Sequence, residues 1–564
     1  MNCYEDPSLI YPYLDRSSFP SYSLSTRVRK RALGKSLART WDRVKVLGGH
    51  AGCINALHWA HGGELLLSAG DDTTVQIWRL DPTNTFEDYP FVCRTVIHTG
   101  HRANIFNTAM LPYSNRICDS ATVSGDRQVR VFDVGEDYET SALGQEIGQE
   151  YCLNTLRCHE DRVKRIATEE SPDRFLTVSE ASAYPLFPCK VLLLKPTIKD
   201  GTVRQHDLRT PHVCRDHCPA PLLQVHHELS TLATSSYYCV VAGDSPYGYL
   251  FDRRFTGRDI PDEWGRRDEG LVSCVLRFGR TNQRKVHRTR AYPREHITGS
   301  RMSAENGHEV LLSYSSDGVY LFSTLHDPES SSSPSSSTIV PPNLKRRRIS
   351  RESPSTSSTV SSSPPSEGAA VNLDLLDHLE REDGDQGEDE DLEEDDVVDP
   401  LRGEELKAFY SWTDIVTPYR RFSGARNVDT VKDVNFLGPR DEFVTSGSDD
   451  GNFFVWHKST GKIHGIYEGD GAVVNVIEGH PHLPLVAVSG IDHTVKLFAP
   501  VHRESAFSRM SNAESIMDMN REQSDLRTHI RRIRRHDFVN LLASFRTSTD
   551  GENNTEATSD CVNQ

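Results

Sequence analysis

The chain repeats a unit in which apolar and polar positions alternate between turn-forming residues. The unit is most complete between residues 49 and 80, GHAGCINALHWAHGGELLLSAGDDTTVQIWRL. Because every second side chain of a strand points to the same face, the alternation around Val75 and Ile77 indicates strands with one apolar face. Gly and Asp, which suit tight turns, lie between the runs. The unit therefore predicts three to four strands.

Five copies of the unit share an Asp placed six residues before an aromatic residue or a histidine. These pairs are Asp72 and Trp78, Asp126 and Phe132, Asp200 and His206, Asp450 and Trp456, and Asp492 and Phe498. Two looser copies end near Asp252 and Phe322, which brings the number of units to seven. Sheets with exposed apolar faces bury those faces when they are arranged radially. We therefore predict an all-β fold, a seven-bladed β-propeller.

The units resemble WD40 repeats, and the resemblance implies a buried hydrogen-bonded set in each blade. Its members, as the family pattern gives them, are His50, Ser68, Asp72 and Trp78 in the first blade and, in later blades, His101, Asp126, His159, Asp200, Asp450, Trp456 and Asp492. Buried polar groups need partners, so we expect these residues to be structural. The sixth unit has Gly424 and Ala425 where Gly-His is expected, so its set should lack one partner.

The repeats predict one large domain with an insertion and two extensions. The predicted parts are a flexible N-terminus with a basic helix at 1–40, blades one to five at 41–325, a disordered linker at 326–405, blades six and seven at 406–500, and a partly helical tail at 501–564. The stretch RVKVLGGH resembles the N-terminal strand that completes the last blade of such propellers, which removes exposed sheet edges.

Residues 181–199 interrupt the third unit with an apolar, Pro-bearing segment. Without it, the runs on either side join into a continuous repeat, so it has no logic at the level of the repeat. We interpret it as a retained intron or a gene-model error, which sequencing of the transcript tests. The alternative is a genuine partner-binding loop, since loops carry function.

The basic stretch before the first unit spaces Leu33, Leu37 and Trp41 by four residues, as one face of a short helix requires. Two interpretations stay open. The helix caps an open end of the propeller, or it docks a partner.

The net charge of −17 is concentrated in one stretch, because residues 374–399 carry fifteen acidic residues and one Arg. Together with the Ser- and Pro-rich residues before it, this composition predicts disorder. Acidic blocks bind basic proteins such as histones, or solvate a linker. The basic run Lys345, Arg346, Arg347 and Arg348 is compatible with nuclear import, so we expect a nuclear protein that can also be cytoplasmic.

Several function classes lack their signals. The sequence has no apolar run of about eighteen residues and no signal pattern, so we expect a soluble intracellular protein. Its twelve scattered Cys fit reduced thiols. Cys214 and Cys218, with His212, His217, His226 and His227 nearby, lack the second pair typical of zinc sites, so we expect no metal. Phosphate-loop, metalloprotease, hydrolase and kinase motifs are missing, which predicts no catalytic residue and no cofactor.

Two units end with an Arg two residues after an Asp, in His206-Asp207-Leu208-Arg209 and Phe251-Asp252-Arg253-Arg254. An Arg beyond the third strand lies at the propeller rim, where it can form a forked pair with a partner carboxylate. The alternative is an ion pair within the blade.

At these residues the sequence resembles the WD40 substrate receptors of cullin-4 RING ubiquitin ligases, in particular their IQ-motif- and WD-repeat-containing branch. Matching phrases are GHAGCINALHW, GHRANIFNTAMLP and VTSGSDDGNFFVWHKSTGKI. The chain departs from the receptors' box at His206 and Phe251, which replace Trp, and shows no IQ-type calmodulin motif.

The resemblance implies which residues bind the ligase adaptor, damage-specific DNA-binding protein 1. They are Asp207, Arg209, Asp252 and Arg254, with Arg29, Arg31, Leu37 and Trp41 as a second anchor. The implied function is a non-catalytic receptor that brings an unknown protein substrate near a cullin-4 assembly. The alternative is a nuclear scaffold or chromatin-associated propeller that acts without the ligase.

Overall fold

The computed structural model describes residues 41–81, 83, 84, 86, 87, 89–114, 116–121, 126–135, 144–182, 199–210, 214, 218–225, 227–254, 274–280, 296–325, 413–438, 440–501 and 504–525. Contacts group Met1–Pro328 with Ala408–Gln564 in one compact unit. Residues 329–407 form the second unit, which lies outside the described residues. This unit contains Lys345, Arg346, Arg347 and Arg348. None of the helices among the described residues is long and apolar enough to span a membrane.

The first half of the chain builds a closing strand and blades one to three. The strands are β1 Trp41–Gly48; β2 Ile54–Ala60, β3 Leu65–Gly70, β4 Thr74–Leu80 and β5 Phe91–His98 in blade one; β6 Ile105–Met110, β7 Arg116–Ala121 and β8 Val129–Asp133 in blade two; β9 Gln145–Ile147, which pairs with β5; β10 Cys152–Leu156, the outer strand of blade two; and β11 Val163–Thr168, β12 Arg174–Ser179, β13 Ala181–Ser182, β14 Lys199–Asp200, β15 Thr202–Asp207 and β16 Leu223–Gln224 in and beside blade three.

The remaining strands build blades four to seven. They are β17 Leu229–Ser235, β18 Tyr238–Gly243, β19 Gly248–Asp252 and β20 Cys274–Phe278 in blade four; β21 Ile297–Met302, β22 Glu309–Tyr314 and β23 Val319–Ser323 in blade five; β24 Ile415–Val416, which pairs with β20; β25 Arg420–Phe422, the outer strand of blade five; β26 Val434–Leu437, β27 Phe443–Gly447, β28 Asn452–His457 and β29 Ile463–Glu468 in blade six; and β30 Val474–Gly479, β31 Val486–Gly490 and β32 Thr494–Pro500 in blade seven.

Short helical segments complete the described chain. Single 3-10 turns span His61–Gly63, Gln149–Tyr151 and Met510–Asn512. The described part of helix α1 covers residues 513–525.

The seven sheets close into a ring, so the predicted seven-bladed propeller is confirmed. The innermost strands β2, β6, β11, β17, β21, β26 and β30 contact one another in cyclic order. β1 pairs antiparallel with β32, from Trp41 opposite Pro500 to Gly48 opposite Thr494. The N-terminal strand thus completes blade seven as its outer strand, which covers the edge that β32 would otherwise expose.

The long insertion interrupts blade five instead of separating blades five and six. β25 lies after the insertion but pairs with β23, with Val319 opposite Phe422. The predicted boundary at 406–500 therefore assigned one strand of blade five to blade six. A blade tolerates such an excursion because the closure entropy of a loop grows only slowly with its length.

The segment at 181–199 leaves blade three through a two-stranded stem. β13 and β14 pair beside the blade, with Ala181 opposite Asp200. The pairing of β12 with β15 continues undisturbed to Val178 opposite Val203. The blade is therefore complete with or without the segment, whose origin stays a hypothesis.

Trp41 differs from its predicted role in a docking helix. It is the first residue of β1, its side chain is 2% exposed, and its ring centroid lies 6.2 Å from that of Tyr467. The indole belongs to an apolar cluster with Phe453 and Phe498, between blades six and seven. Trp41 therefore lies in a strand, and its spacing of four residues from Leu37 does not place it on a helix face. Its buried side chain is not accessible to an adaptor.

The predicted polar set of blade one is assembled inside the sheet. His50 Nδ1 lies 2.8 Å from Asp72 Oδ2, and His50 Nε2 lies 2.7 Å from Ser68 Oγ. Trp78 Nε1 donates to the same Ser68 oxygen at 2.8 Å. Burial would raise the pKa of Asp72, but hydrogen bonds from His50 and from two backbone N–H groups lower it to about 2. The carboxylate therefore stays charged and holds the histidine.

Blades two and three form variants of this set. In blade two, His101 Nδ1 lies 3.0 Å from Asp126 Oδ2. In blade three, Thr177 Oγ1 lies 2.7 Å from His159 Nε2 and 2.8 Å from His206 Nε2. His206 therefore takes the position of the indole and keeps its hydrogen bond. The side chain of Asp200 lies outside the described residues.

In blade seven a buried lysine takes over the hydrogen-bonding role of the histidine, whose position is occupied by an aspartate. Lys496 Nζ lies 3.0 Å from Asp470 Oδ2 and also pairs with Asp492. Asp470 follows Gly469 at the position of the Gly-His pair. A lysine side chain between two aspartates serves here where a histidine and one aspartate serve in blade one.

In blade six, helix α1 supplies the partner that the sequence leaves out. Asn520 Nδ2 donates to Asp450 Oδ2 at 2.8 Å and to the Gly424 carbonyl at 2.9 Å. Trp456 Nε1 donates to the Ser423 carbonyl at 3.0 Å. Gly424 has φ +111°, and a Cβ there would lie 3.0 Å from Met517 of the helix, so glycine permits the close approach.

We expect Trp41→Ala to destabilise the propeller by about 3–5 kcal/mol, because it leaves a cavity where the ring closes. Val46→Ala in the same strand is the matched control, since Val46 is an exposed side chain. Thermal and denaturant unfolding measure the effect. Equal stability of the two variants would contradict the closure described here.

We expect Asn520→Ala to release helix α1 from blade six, because Asp450 and the Gly424 carbonyl both lose a donor, at a cost of about 1–3 kcal/mol. Hydrogen exchange of residues 510–525 should become faster. Arg521→Ala changes an exposed neighbour in the same helix and should leave exchange as it is. If the two variants exchange alike, Asn520 does not hold the helix.

Candidate protein-interaction face

Both Asp-x-Arg boxes lie at one end of the propeller. The third strands β15 and β19 end at Asp207 and Asp252. Asp207 is opposite Arg174 at the start of β12, and Asp252 is opposite Tyr238 at the start of β18. We name this end the box face. It is formed by the turns between first and second strands and by the connections that leave the third strands.

In blade three, Arg209 is held by a forked pair to Asp207. Arg209 Nε donates to Oδ1 at 2.9 Å, and an Nη donates to Oδ2 at 2.6 Å. The backbone N–H of Arg209 also donates to Oδ1, at 3.0 Å. These bonds lower the pKa of Asp207 to about 2. The Arg209 side chain is nevertheless 62% exposed, so its guanidinium is oriented and open to solvent.

Blade four repeats the arrangement. Arg254 Nε donates to Asp252 Oδ1 at 2.9 Å, an Nη donates to Oδ2 at 2.5 Å, and Arg254 lowers the pKa of Asp252. The guanidinium carbon lies 4.8 Å from the ring centroid of Tyr237, which adds a cation–π contact. Within each blade the ion pair that the sequence left as an alternative is formed. It orients the exposed guanidinium without hiding it.

Glu169 bridges blades three and four next to the two boxes. It lies between β11 and β12, where it accepts a hydrogen bond from Gln205 of blade three at 2.9 Å. It also pairs with Arg253 of blade four and, at 3.4 Å, with Arg174. One carboxylate therefore links blades three and four beside the two boxes.

The box face also carries the most exposed large apolar side chains among the described residues. Phe86 is 98% exposed in the connection after β4, and Tyr113 is 84% exposed in the turn between β6 and β7. Leu325 after β23 and Tyr237 between β17 and β18 are 73% and 59% exposed. Exposed aromatic side chains beside arginine are typical of protein interfaces. The sequence pattern did not single out these four residues.

A cavity of about 290 Å³ lies towards the opposite end of the propeller, where the innermost strand of each blade begins. Its lining includes Lys164, Arg165, Glu180 and Asp433. Lys164 Nζ lies 3.1 Å from Glu180, and Arg165 pairs with Asp433. The two ends of the propeller differ in that the most exposed large apolar side chains among the described residues lie on the box face.

Three members of the predicted second anchor, Arg29, Arg31 and Leu37, lie outside the described residues. The fourth, Trp41, is buried as described above. The predicted adaptor-binding residues that lie within the described structure are Asp207, Arg209, Asp252 and Arg254.

Seven blades, ring closure by the N-terminal strand and the buried His-Ser-Asp-Trp set define a WD40-repeat β-propeller. The model of the family "WD domain, G-beta repeat" matches residues 41–79. The chain is similar to WD repeat protein iqw1 of Schizosaccharomyces pombe, with 33% identity over 51% of this chain and 33% of the relative.

Two further relatives come from a plant and an animal. Protein ALTERED SEED GERMINATION 2 of Arabidopsis thaliana is 30% identical over 55% of this chain and 38% of its own length. DDB1- and CUL4-associated factor 6 of Homo sapiens is 29% identical over 54% of this chain and 30% of its own length. The chain thus spans about a third of the length of these relatives.

Proposed function

We propose that the chain is a substrate receptor of a cullin-4 RING ubiquitin ligase, and that its box face binds the adaptor damage-specific DNA-binding protein 1, the DDB1 of the human relative's name. One observation carries the proposal. Two oriented, exposed arginines and the four most exposed large apolar side chains among the described residues share one face. The similarity to a DDB1- and CUL4-associated factor supports this choice of partner.

The arrangement suits a protein partner for an energetic reason. An Arg already held by its Asp loses little side-chain entropy when a second carboxylate or carbonyl approaches. Burial of the exposed Phe86 and Tyr113 side chains against a partner would contribute to the binding free energy, since large aromatic anchors dominate binding energies. Specific complexes bury about 800 Å² per partner, and on this face charged and apolar contacts would contribute to such an interface together.

In this function the chain performs no chemistry of its own. The box face binds the adaptor, and a different surface binds the substrate, which raises the substrate's effective concentration beside the ubiquitin-charged enzyme. The end with the cavity remains accessible for a substrate when the box face is covered. We also propose a nuclear location, based on the basic run at residues 345–348.

The acidic stretch at residues 374–399 favours a second candidate, a nuclear scaffold that binds histones or other basic proteins without the ligase. The two candidates make different demands on the box face. Only the ligase function requires the purified adaptor to bind there.

We expect Arg209→Glu combined with Arg254→Glu to weaken binding of purified DDB1 at least tenfold, about 1.4 kcal/mol or more, because each new carboxylate repels acidic groups of the adaptor and of its own box. Biolayer interferometry measures the affinity. The matched control is Arg521→Glu, which reverses an exposed arginine on helix α1 and should bind as the wild type does.

A second pair of variants separates binding from folding. Phe86→Ser and Tyr113→Ser alter solvent-exposed side chains, so the propeller should melt unchanged while adaptor affinity falls severalfold. Wild-type protein that fails to bind DDB1, or binding that survives all four substitutions, would remove the ligase function and leave the scaffold.

A further inference from the structure

Three cysteines from two segments of the chain meet at the boundary of blades two and three. Cys158 lies between β10 and β11, and Cys214 and Cys218 lie between β15 and β16. Their Sγ atoms all lie within 4.8 Å of one another, and those of Cys158 and Cys214 are 3.6 Å apart. All three side chains pack on the apolar cluster of Val131, Val163 and Phe175.

The Cys158–Cys214 Sγ separation is close to the sulfur–sulfur distance of a thiolate metal site, and the third sulfur lies within 4.8 Å of both. Zinc bound by thiolates has Zn–S distances of about 2.3 Å, which separates the sulfurs of a tetrahedral site by roughly 3.8 Å. The backbone N–H of Arg157 also donates to Cys214 Sγ at 3.3 Å. Hydrogen bonds of this kind orient and stabilise ligands of metal sites. We propose that Cys158, Cys214 and Cys218 bind a structural Zn²⁺ ion.

A bound ion would stabilise a part of blade three that has a short outer strand. β16, the outer strand of blade three, holds only two residues, whereas the outer strands of blades two, four and six hold five, five and six. Arg204 reaches the Pro219 carbonyl at 2.7 Å, which is one of the contacts that hold the connection before β16 against β15. A zinc ion would link this connection to Cys158, just before β11 of blade three. It would thereby hold the outer edge of the blade, where the short β16 forms few hydrogen bonds with β15.

The chemistry of the donors favours zinc. Thiolates are soft ligands that select Zn²⁺ over Ca²⁺ or Mg²⁺. Each cysteine that binds releases its proton to solvent, and no electron is transferred. Water or another side chain completes the tetrahedron, and the proposal does not depend on which. It is also independent of adaptor binding.

The test measures zinc in the full-length chain, purified under reducing conditions with Zn²⁺ supplied, by inductively coupled plasma mass spectrometry. We expect about one zinc per chain. Cys158→Ser and Cys214→Ser should each lose most of it. Cys53→Ser is the matched control, because Cys53 lies outside the cluster and donates to the Ile491 carbonyl, which a hydroxyl can also do.

A measurement on the wild type keeps the proposal testable if the variants fail to fold. Co²⁺ added to the chelator-treated protein should give intense tetrahedral d–d bands and a sulfur-to-cobalt charge-transfer band, and Zn²⁺ should abolish both. Chelation should also lower the melting temperature, because the ion binds the folded state. A metal-free wild type, copper or iron in place of zinc, zinc retained in both cysteine variants, or cobalt spectra without sulfur ligation would each overturn the proposal.

Discussion

The pairing of β1 with β32 is the constraint on which the rest of the structure depends. Each blade buries its apolar faces only against its two neighbours, so one open junction exposes core on both sides. At this junction Trp41 and Leu47 enter two different inter-blade clusters, one shared with blade six and one with blade one. The box face is built from several blades, so it relies on the packing between neighbours that ring closure completes, and Glu169 adds a direct link between blades three and four there.

In the buried polar sets the residue types change from blade to blade, whereas the hydrogen bonds are kept. An indole gives way to His206 in blade three, a histidine to Lys496 in blade seven, and in blade six the missing histidine is replaced from outside the blade by Asn520. In each case the donor changes and the acceptor stays satisfied, because an unpaired polar group within a sheet costs more than a substitution of its partner. The helix that supplies Asn520 is thus part of the propeller although it belongs to no repeat.

The sequence could predict what has a period. The number of repeats and the two boxes follow from patterns that recur along the chain, and the closing strand follows from the resemblance to WD40 propellers. It could not predict features that arise from contacts between distant segments: Cys158 lies 56 residues before Cys214, and nothing in their spacing brings them together. Trp41 was misassigned because a spacing of four fits a helix face, while its actual environment is set by Tyr467. The exposure of Phe86 and Tyr113 depends on loop geometry that alternation does not record.

The closing strand has a consequence for how the protein is made. A ribosome completes residues 41–48 early, but their partner at residues 494–500 emerges only after more than four hundred further residues. Throughout that interval the nascent chain carries an unpaired strand and a first blade with one uncovered side, both of which favour aggregation. Circular permutation that begins the chain at blade one and places the closing strand after β32 would remove the unpaired strand, although blade one would still wait for blade seven.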